Sequence, residues 1–585
     1  MKHWVGNEHE FQYERWTAGV KIPSRAMHEL YLLPFEMAVR DAKVAGAMCA
    51  YPYVNGEWNC DSSQLIQDTA RKRWGWDGWV ESDRNAQHST VKGIKAGVGW
   101  ELDWEPIQYT PAKIKAALAA GEITMADIDA TLVPRYVQMF KFGNFENPLT
   151  QILSDDLVAN AAKQRPLAEE SITLLKNEKN QLPLNAKTVK SIALIGPGWF
   201  AGQASIAPRN IDPEKHTSVV TPYAISPQQG LENALKRAGN PAKVTYNNGS
   251  NIDSAVELAK NSDAVILMLG TNPREMWDLK KLNLPVVPAG TSDQLNGNVS
   301  GKGTVNQHDL VWAVLKANDN NVVVLKTGAG VTMNWSQRAG AIVAAWFPGQ
   351  DDGDIVAKVL FGEINPSGKT PVTWPQTDKE AAFATTKQYP GVKEATPGVD
   401  GGKSRNPNPK GQKQLVSYYD EGLAMGYRWY EQNNVKPKYA FGHGLSYTTF
   451  AYSDLKVKDK VDKKTGRTTL TVEYRVTNTG KVAGKEASQV YLTLPSEAGQ
   501  PSKRLVGFSK DEIKPGKSKK VKVVIDSEAS NHPFSYFVPA STDITQWAGG
   551  DWKNAKGAYT VSVGGASDQI ALTGQVNLQF EQRRS

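Results

Sequence analysis

Cysteine is scarce. The chain of 585 residues holds two, Cys49 and Cys60. That excludes a disulfide-stapled scaffold and a cysteine-ligated metal cluster, and His88 alone does not complete a zinc set, so no metal site is expected. The pair reads either as two buried thiols or as one disulfide closing the Tyr51-Pro52…Asn55-Gly56 turn; a disulfide points to an oxidising compartment. Also missing is any apolar run of about 18 residues, which excludes a membrane-spanning helix. The N-terminus, MKHWVGNEHEF, lacks the apolar centre and small-residue cleavage site of a secretory signal. Charge of one sign is not in excess: 68 basic residues stand against 60 acidic ones, a net +8. The main basic cluster, Lys456–Lys464 with Arg467, reads as a solvated strand edge and hairpin. Without zinc spacing or a reader motif, it argues against nucleic acid as a partner.

What is present divides into blocks. Residues 1–155 alternate strand-like runs (Val44–Cys49, Gly78–Glu81, Gly99–Trp104) with helical ones (Arg25–Asp41, Ser63–Trp74, Pro111–Ala120). A βα alternation implies a parallel sheet. With Lys2–Val5 as the end of another strand there are about four, where a closed barrel needs eight. Residues 156–380 form a second α/β unit. SIALIG, AVILMLG, NVVVLKTG and AIVAAWF are β-branched runs suited to strands covered on both faces. Residues 381–445 begin with a Pro-, Gly-, Lys- and Thr-rich stretch without periodicity and read as a linking segment. Residues 446–585 alternate apolar and polar positions between turn signals, as in an antiparallel sandwich of about seven strands. The expected fold class is therefore α/β plus all-β: a partial (β/α) barrel, an α/β sandwich and a C-terminal β-sandwich.

Two phosphate-binding patterns fail on inspection. Gly196-Pro-Gly198-Trp-Phe-Ala201 follows a strand, but Pro197 removes a donor that a pyrophosphate needs and a loop-like, proline-containing stretch follows. Gly362…Gly368-Lys369-Thr370 has one residue too many between its glycines and does not open a helix. Neither supports a nucleotide cofactor, and none is expected.

The carboxylates carry more. In GWVESDRNAQHST an apolar run ends at Ser82-Asp83-Arg84, which places Asp83 at the C-terminal rim where barrel enzymes keep their chemistry. Glu275 follows strand 264–270, on the side where open α/β sheets carry their ligand crevices. Two such acids facing one cleft are what glycoside hydrolysis uses, although strand-end acids also cap helices.

An ordered set of motifs then adds weight. WGWDGWVESDRNAQHS resembles the nucleophile motif of glycoside hydrolase family 3, and Lys2-His3 resembles that family's substrate-binding pair. AMCAYPYVNGEWNC, with both cysteines in place, EMWDLKKLNLP, AWFPGQDDG, LFGEINPSGKTPVTWP, EGLAMGYRWY and YAFGHGLSYTTF follow in family order, and VTNTGKVAGKEASQVYL is similar to its fibronectin type III-like domain. The resemblance implies a retaining, exo-acting β-glycosidase, foremost a β-glucosidase, that cuts terminal non-reducing β-D-glycosyl residues without a cofactor. β-Xylosidase, another β-glycosidase, or an inactive carbohydrate-binding fragment are the alternatives. It implies Asp83 as nucleophile and Glu275 as acid/base. Lys2, His3, Tyr51, Arg84 and Trp277 would meet the sugar or the aglycone, with the Tyr51 hydroxyl close to Asp83. Arg84 stands where the family usually has tryptophan, Leu279 where it has arginine and Pro52 where it has asparagine, and residues 286–303 form an insertion. The family also carries about half a barrel ahead of the Lys-His pair. The expectation is a chain lacking that half and impaired by its loss. Its partners would be a β-linked glycoside or oligosaccharide and a second copy or an N-terminal half barrel. The expected location is extracellular or periplasmic, with Cys49 and Cys60 paired in exported material.

Overall fold

The structure is a computed structural model. It describes every residue except 11–14, 104, 149–156, 203–222, 272–277, 280, 293–298, 301–302, 381–383, 396–412 and 581–585.

The first unit is a strip of parallel backbone. Strand Gly46–Cys49 pairs in parallel with Trp79–Ser82. Trp4 bridges to Cys49 on one side and Trp100 to Glu81 on the other. The four expected strand positions are thus neighbours in chain order, although the first and last are single bridges. Helices and helical turns cover the strip at Ser24–Arg40, Gln64–Arg73, Thr90–Ala96 and Pro111–Ala119. Helix Met125–Lys141 was not among the expected elements; Thr124 and Asp127 cap it reciprocally, and Pro134 lies inside it. Trp4, Ile66, Val80 and Cys60 are fully buried beneath these helices.

The second unit is a six-stranded sheet in the order 173–177, 341–344, 321–326, 264–270, 191–195, 243–247. All neighbours are parallel except the edge strand Thr173–Asn177, which runs antiparallel to Ala341–Ala344. Ala264–Gly270 is buried at every position, as a strand covered on both faces must be. Helices 227–237 and 352–360 meet backbone to backbone. A Cβ on Gly230 would lie 2.0 Å from the carbonyl carbon of Gly353, so glycine is required at this approach.

The linking segment is less irregular than its composition implies. Val392–Ala395 and Lys413–Tyr418 pair as strands, and the latter runs parallel to Gly19–Lys21 of the first unit. The C-terminal unit pairs a three-stranded sheet (Phe450–Val461, Thr468–Asn478, Ser518–Asp526) with a four-stranded one (Arg504–Ile513, Gly484–Thr493, Gly557–Ala566, Gln569–Leu578). A hairpin, Ser535–Pro539 with Gly550–Asn554, reaches back to the first unit. There the Phe537 ring stacks on His28 at 3.8 Å, and Arg504 forms a buried ion pair with Glu29. Among the described residues no helix is long and apolar enough to cross a membrane.

Candidate active site

The candidate nucleophile sits where strand Trp79–Ser82 stops. Its neighbours hold that end in place. The Asp83 N–H donates to the Cys49 carbonyl at 3.0 Å, and Ser82 N–H donates to the Trp100 carbonyl at 2.9 Å. Cys49 is tied to Cys60 by a disulfide with Cα atoms 5.3 Å apart, so the expected pairing is present directly beside Asp83. The Asp83 side chain keeps 13% of its surface exposed, enough to meet a ligand.

Three groups flank the carboxylate. The Arg84 backbone N–H donates to Oδ1 at 2.7 Å. His3 Nε2 lies 3.5 Å from Oδ2. The Tyr51 phenol faces Asp83: burial, followed by the Asp83 charge, raises it above its ordinary value, so it stays protonated. Tyr51 is itself held by the Arg15 guanidinium, 4.7 Å from its ring centroid, and by the edge of Trp16 at 6.4 Å. A carboxylate with an open face, fixed by a backbone N–H and flanked by an imidazole and a phenol, is placed to act as a nucleophile on an electrophilic carbon.

Of the other expected site residues, Lys2 is exposed, and its charge acts on Glu81 and on the N-terminal amine. The Arg84 side chain is also exposed, beside Asp83. Glu275 and Trp277 lie outside the described residues. Their flanks are described. Strand 264–270 ends in Thr271, whose N–H donates to the Lys326 carbonyl at 3.0 Å. Asp278, three residues beyond Glu275, accepts the Glu10 N–H at 3.2 Å and the Tyr389 hydroxyl.

Glu10, Arg15, Asp278 and Tyr389 were not among the residues expected at the site. Glu10 pairs with Arg15 at 3.1 Å, and the buried His9 ring meets Tyr389 edge-on at 5.6 Å. No local pattern marks these residues, because each finds its partner through the tertiary fold. A separate cavity of about 340 Å³ at the seam with the C-terminal unit, lined by Tyr427, Tyr430, Asn434 and Asp568 among others, includes none of these site residues.

A carboxylate at the rim of a parallel βα strip, joined to an α/β sheet and a β-sandwich, is the arrangement of a glycoside hydrolase acting on O-glycosyl bonds, as the family match shows. The chain belongs to glycosyl hydrolase family 3: the family's N-terminal domain matches residues 1–135, its C-terminal domain residues 172–447, and a fibronectin type III-like domain residues 486–567. It is 30% identical to thermostable β-glucosidase B of Acetivibrio thermocellus, over 99% of this chain and 69% of that one. It is 31% identical to an exo-α-(1→6)-L-arabinopyranosidase of Bifidobacterium longum, over 99% and 69%. Among solved structures it resembles the β-glucosidase of Bifidobacterium adolescentis, with a TM-score of 0.78 at 27% identity, over 99% of this chain and 76% of that one. It also resembles β-glucosidase 3B of Thermotoga neapolitana in complex with glucose, with a TM-score of 0.76 at 26% identity, over 98% and 76%.

Proposed function

We propose that the protein is a retaining, exo-acting β-glycosidase that removes terminal non-reducing β-D-glucosyl residues, with Asp83 as nucleophile and Glu275 as acid/base. The observation that carries the reading is the Asp83 carboxylate, fixed by the Arg84 N–H and flanked by His3 and Tyr51 at the end of a parallel strand. The similarity to β-glucosidases, one of them solved with glucose, supports the choice of sugar.

An Asp83 oxygen attacks the anomeric carbon while the bond to the leaving oxygen breaks, and Glu275 gives that oxygen its proton. Glu275, now ionised, takes a proton from water as the water oxygen attacks the same carbon. The bond to Asp83 breaks as the water bonds, and the sugar leaves with its configuration retained. This double displacement places the two carboxyl groups ~5–5.5 Å apart. Lys2 and His3 hydrogen-bond the sugar hydroxyls, Trp277 offers an apolar face to a sugar ring, and Arg84 lies toward the aglycone, where it favours polar or acidic groups. The disulfide supports an extracellular or periplasmic location.

The arabinopyranosidase relative makes the sugar itself the open variable. The test is hydrolysis of aryl β-glucoside, β-xyloside and α-L-arabinopyranoside by the full chain and by Asp83→Asn and Glu275→Gln. The β-glucoside should be cleaved best. Asp83→Asn should lose activity on every aglycone, whereas Glu275→Gln should spare activated ones and recover with azide. Preference for another glycoside would reassign the sugar. Unchanged activity in Asp83→Asn would overturn the mechanism, and a wild-type chain that binds sugar without cleaving it would leave a carbohydrate-binding protein.

A further inference from the structure

We infer that Asp278 is a positioning residue: its carboxylate docks the segment carrying Glu275 onto the unit carrying Asp83. The inference rests on the assignment of Glu275 made above. The two carboxylates belong to different units of the fold, so their separation is set by how those units are joined. The residues that flank 272–277 are tied to the fold on both sides. Before it, Thr271 is tied to its own sheet through the Lys326 carbonyl at 3.0 Å. After it, Asp278 is tied across the molecule, to the Glu10 N–H at 3.2 Å and to the Tyr389 hydroxyl.

Glu10 is not an isolated anchor. Its side chain pairs with Arg15 at 3.1 Å. Arg15, 2% exposed, lies 4.7 Å from the Tyr51 ring centroid, and the Tyr51 phenol is raised by the Asp83 charge after burial. Asp278 is therefore linked through Glu10 and Arg15 to the surroundings of the nucleophile. The C-terminal flank is tied again where the Leu282 N–H donates to Asp378 Oδ1 at 3.1 Å. Catalysis by two groups is steep in their placement, a misplacement of about 1 Å costing ~10²-fold. Loss of the Asp278 acceptor should displace the acid/base, and the cost should fall where proton donation to the leaving group is needed.

The experiment compares Asp278→Ala, Asp278→Asn, Tyr389→Phe and Glu275→Gln in the full chain, on aryl β-glucosides that span good and poor leaving groups. Asp278→Ala should lower kcat/KM on unactivated aglycones by about 10–100-fold while changing dinitrophenyl glucoside far less. Asp278→Asn keeps an oxygen that accepts both donors and should recover most of the loss; Tyr389→Phe, which keeps the Glu10 link, should fall between. A second readout needs no turnover: amide hydrogen exchange at residues 8–10 and 278–282 should rise in Asp278→Ala and stay near wild type in Asp278→Asn. An equal loss on all aglycones, or unchanged exchange in Asp278→Ala, overturns the inference. A Glu275→Gln variant without leaving-group dependence overturns the acid/base assignment instead, whatever Asp278 does.

Discussion

Replacing His88 with phenylalanine should make the first unit more resistant to acid. Both ring nitrogens of His88 are buried without a hydrogen-bond partner among the described residues, and the ring lies on Trp58 with centroids 4.0 Å apart. Burial pushes its pKa down from 6.5 to about 3. A histidine held below its unfolded value contributes stability that is present above pH 6.5 and lost as pH falls toward 3. At about 1.4 kcal/mol per pH unit, the loss between pH 6.5 and pH 5 is at most roughly 2 kcal/mol. His28, also pushed to about 3 by burial first and then by the Arg73 charge, adds a loss of the same sign. Asp61, raised by burial to about 7, opposes both: its folded form holds the proton better, so it gains stability as pH falls from about 7 toward 3.8. Phenylalanine keeps the ring contact with Trp58 and removes the His88 loss. Urea unfolding followed by tryptophan fluorescence, at about pH 7.5 and about pH 5, gives the comparison. Wild type should lose more stability than His88→Phe between the two, by up to roughly 2 kcal/mol. Equal losses would show that His88 takes up its proton without unfolding, and the burial argument would be wrong.

Two further outcomes follow from the packing. Replacing Cys49 and Cys60 by serine should cost ~2–3 kcal/mol in the chain-entropy account of a loop this short and disturb the carbonyl that holds the Asp83 N–H; thiol titration of unfolded wild type that found free thiols would contradict the pairing. Glu29→Gln leaves Arg504 buried without its charge partner and should cost ~3–5 kcal/mol, loosening the C-terminal sandwich from the helix at 24–40, as limited proteolysis would report; unchanged stability would show that Arg504 is not left uncompensated, and the burial argument would be wrong.

Much of this was legible in the sequence where chemistry is local. Strands 264–270 and 321–326 are continuous apolar runs, and such runs bury on both faces. Asp83 announces itself because it follows one directly. The edge strand Thr173–Asn177, TLLKN, is short and mixed, and its antiparallel direction is set by its neighbour Ala341–Ala344 and by nothing within it. Helix Met125–Lys141 carried a readable signal, Thr124 and Asp127 at capping-box spacing, against the contrary signal of Pro134. Glu10, Arg15 and Tyr389 have no local signature: their roles exist only once residues 268 positions apart, such as Glu10 and Asp278, are brought together.

The account stands most directly on Asp83. A deoxyfluoro β-glucoside with a good leaving group forms the glycosyl-enzyme and hydrolyses it slowly, so the covalent species accumulates. Incubating the full chain with it and sequencing the labelled peptide by mass spectrometry should place one glycosyl residue on Asp83, within GWVESDR, and none in Asp83→Asn. A label on another carboxylate, with Asp83 unmodified, would contradict the assignment.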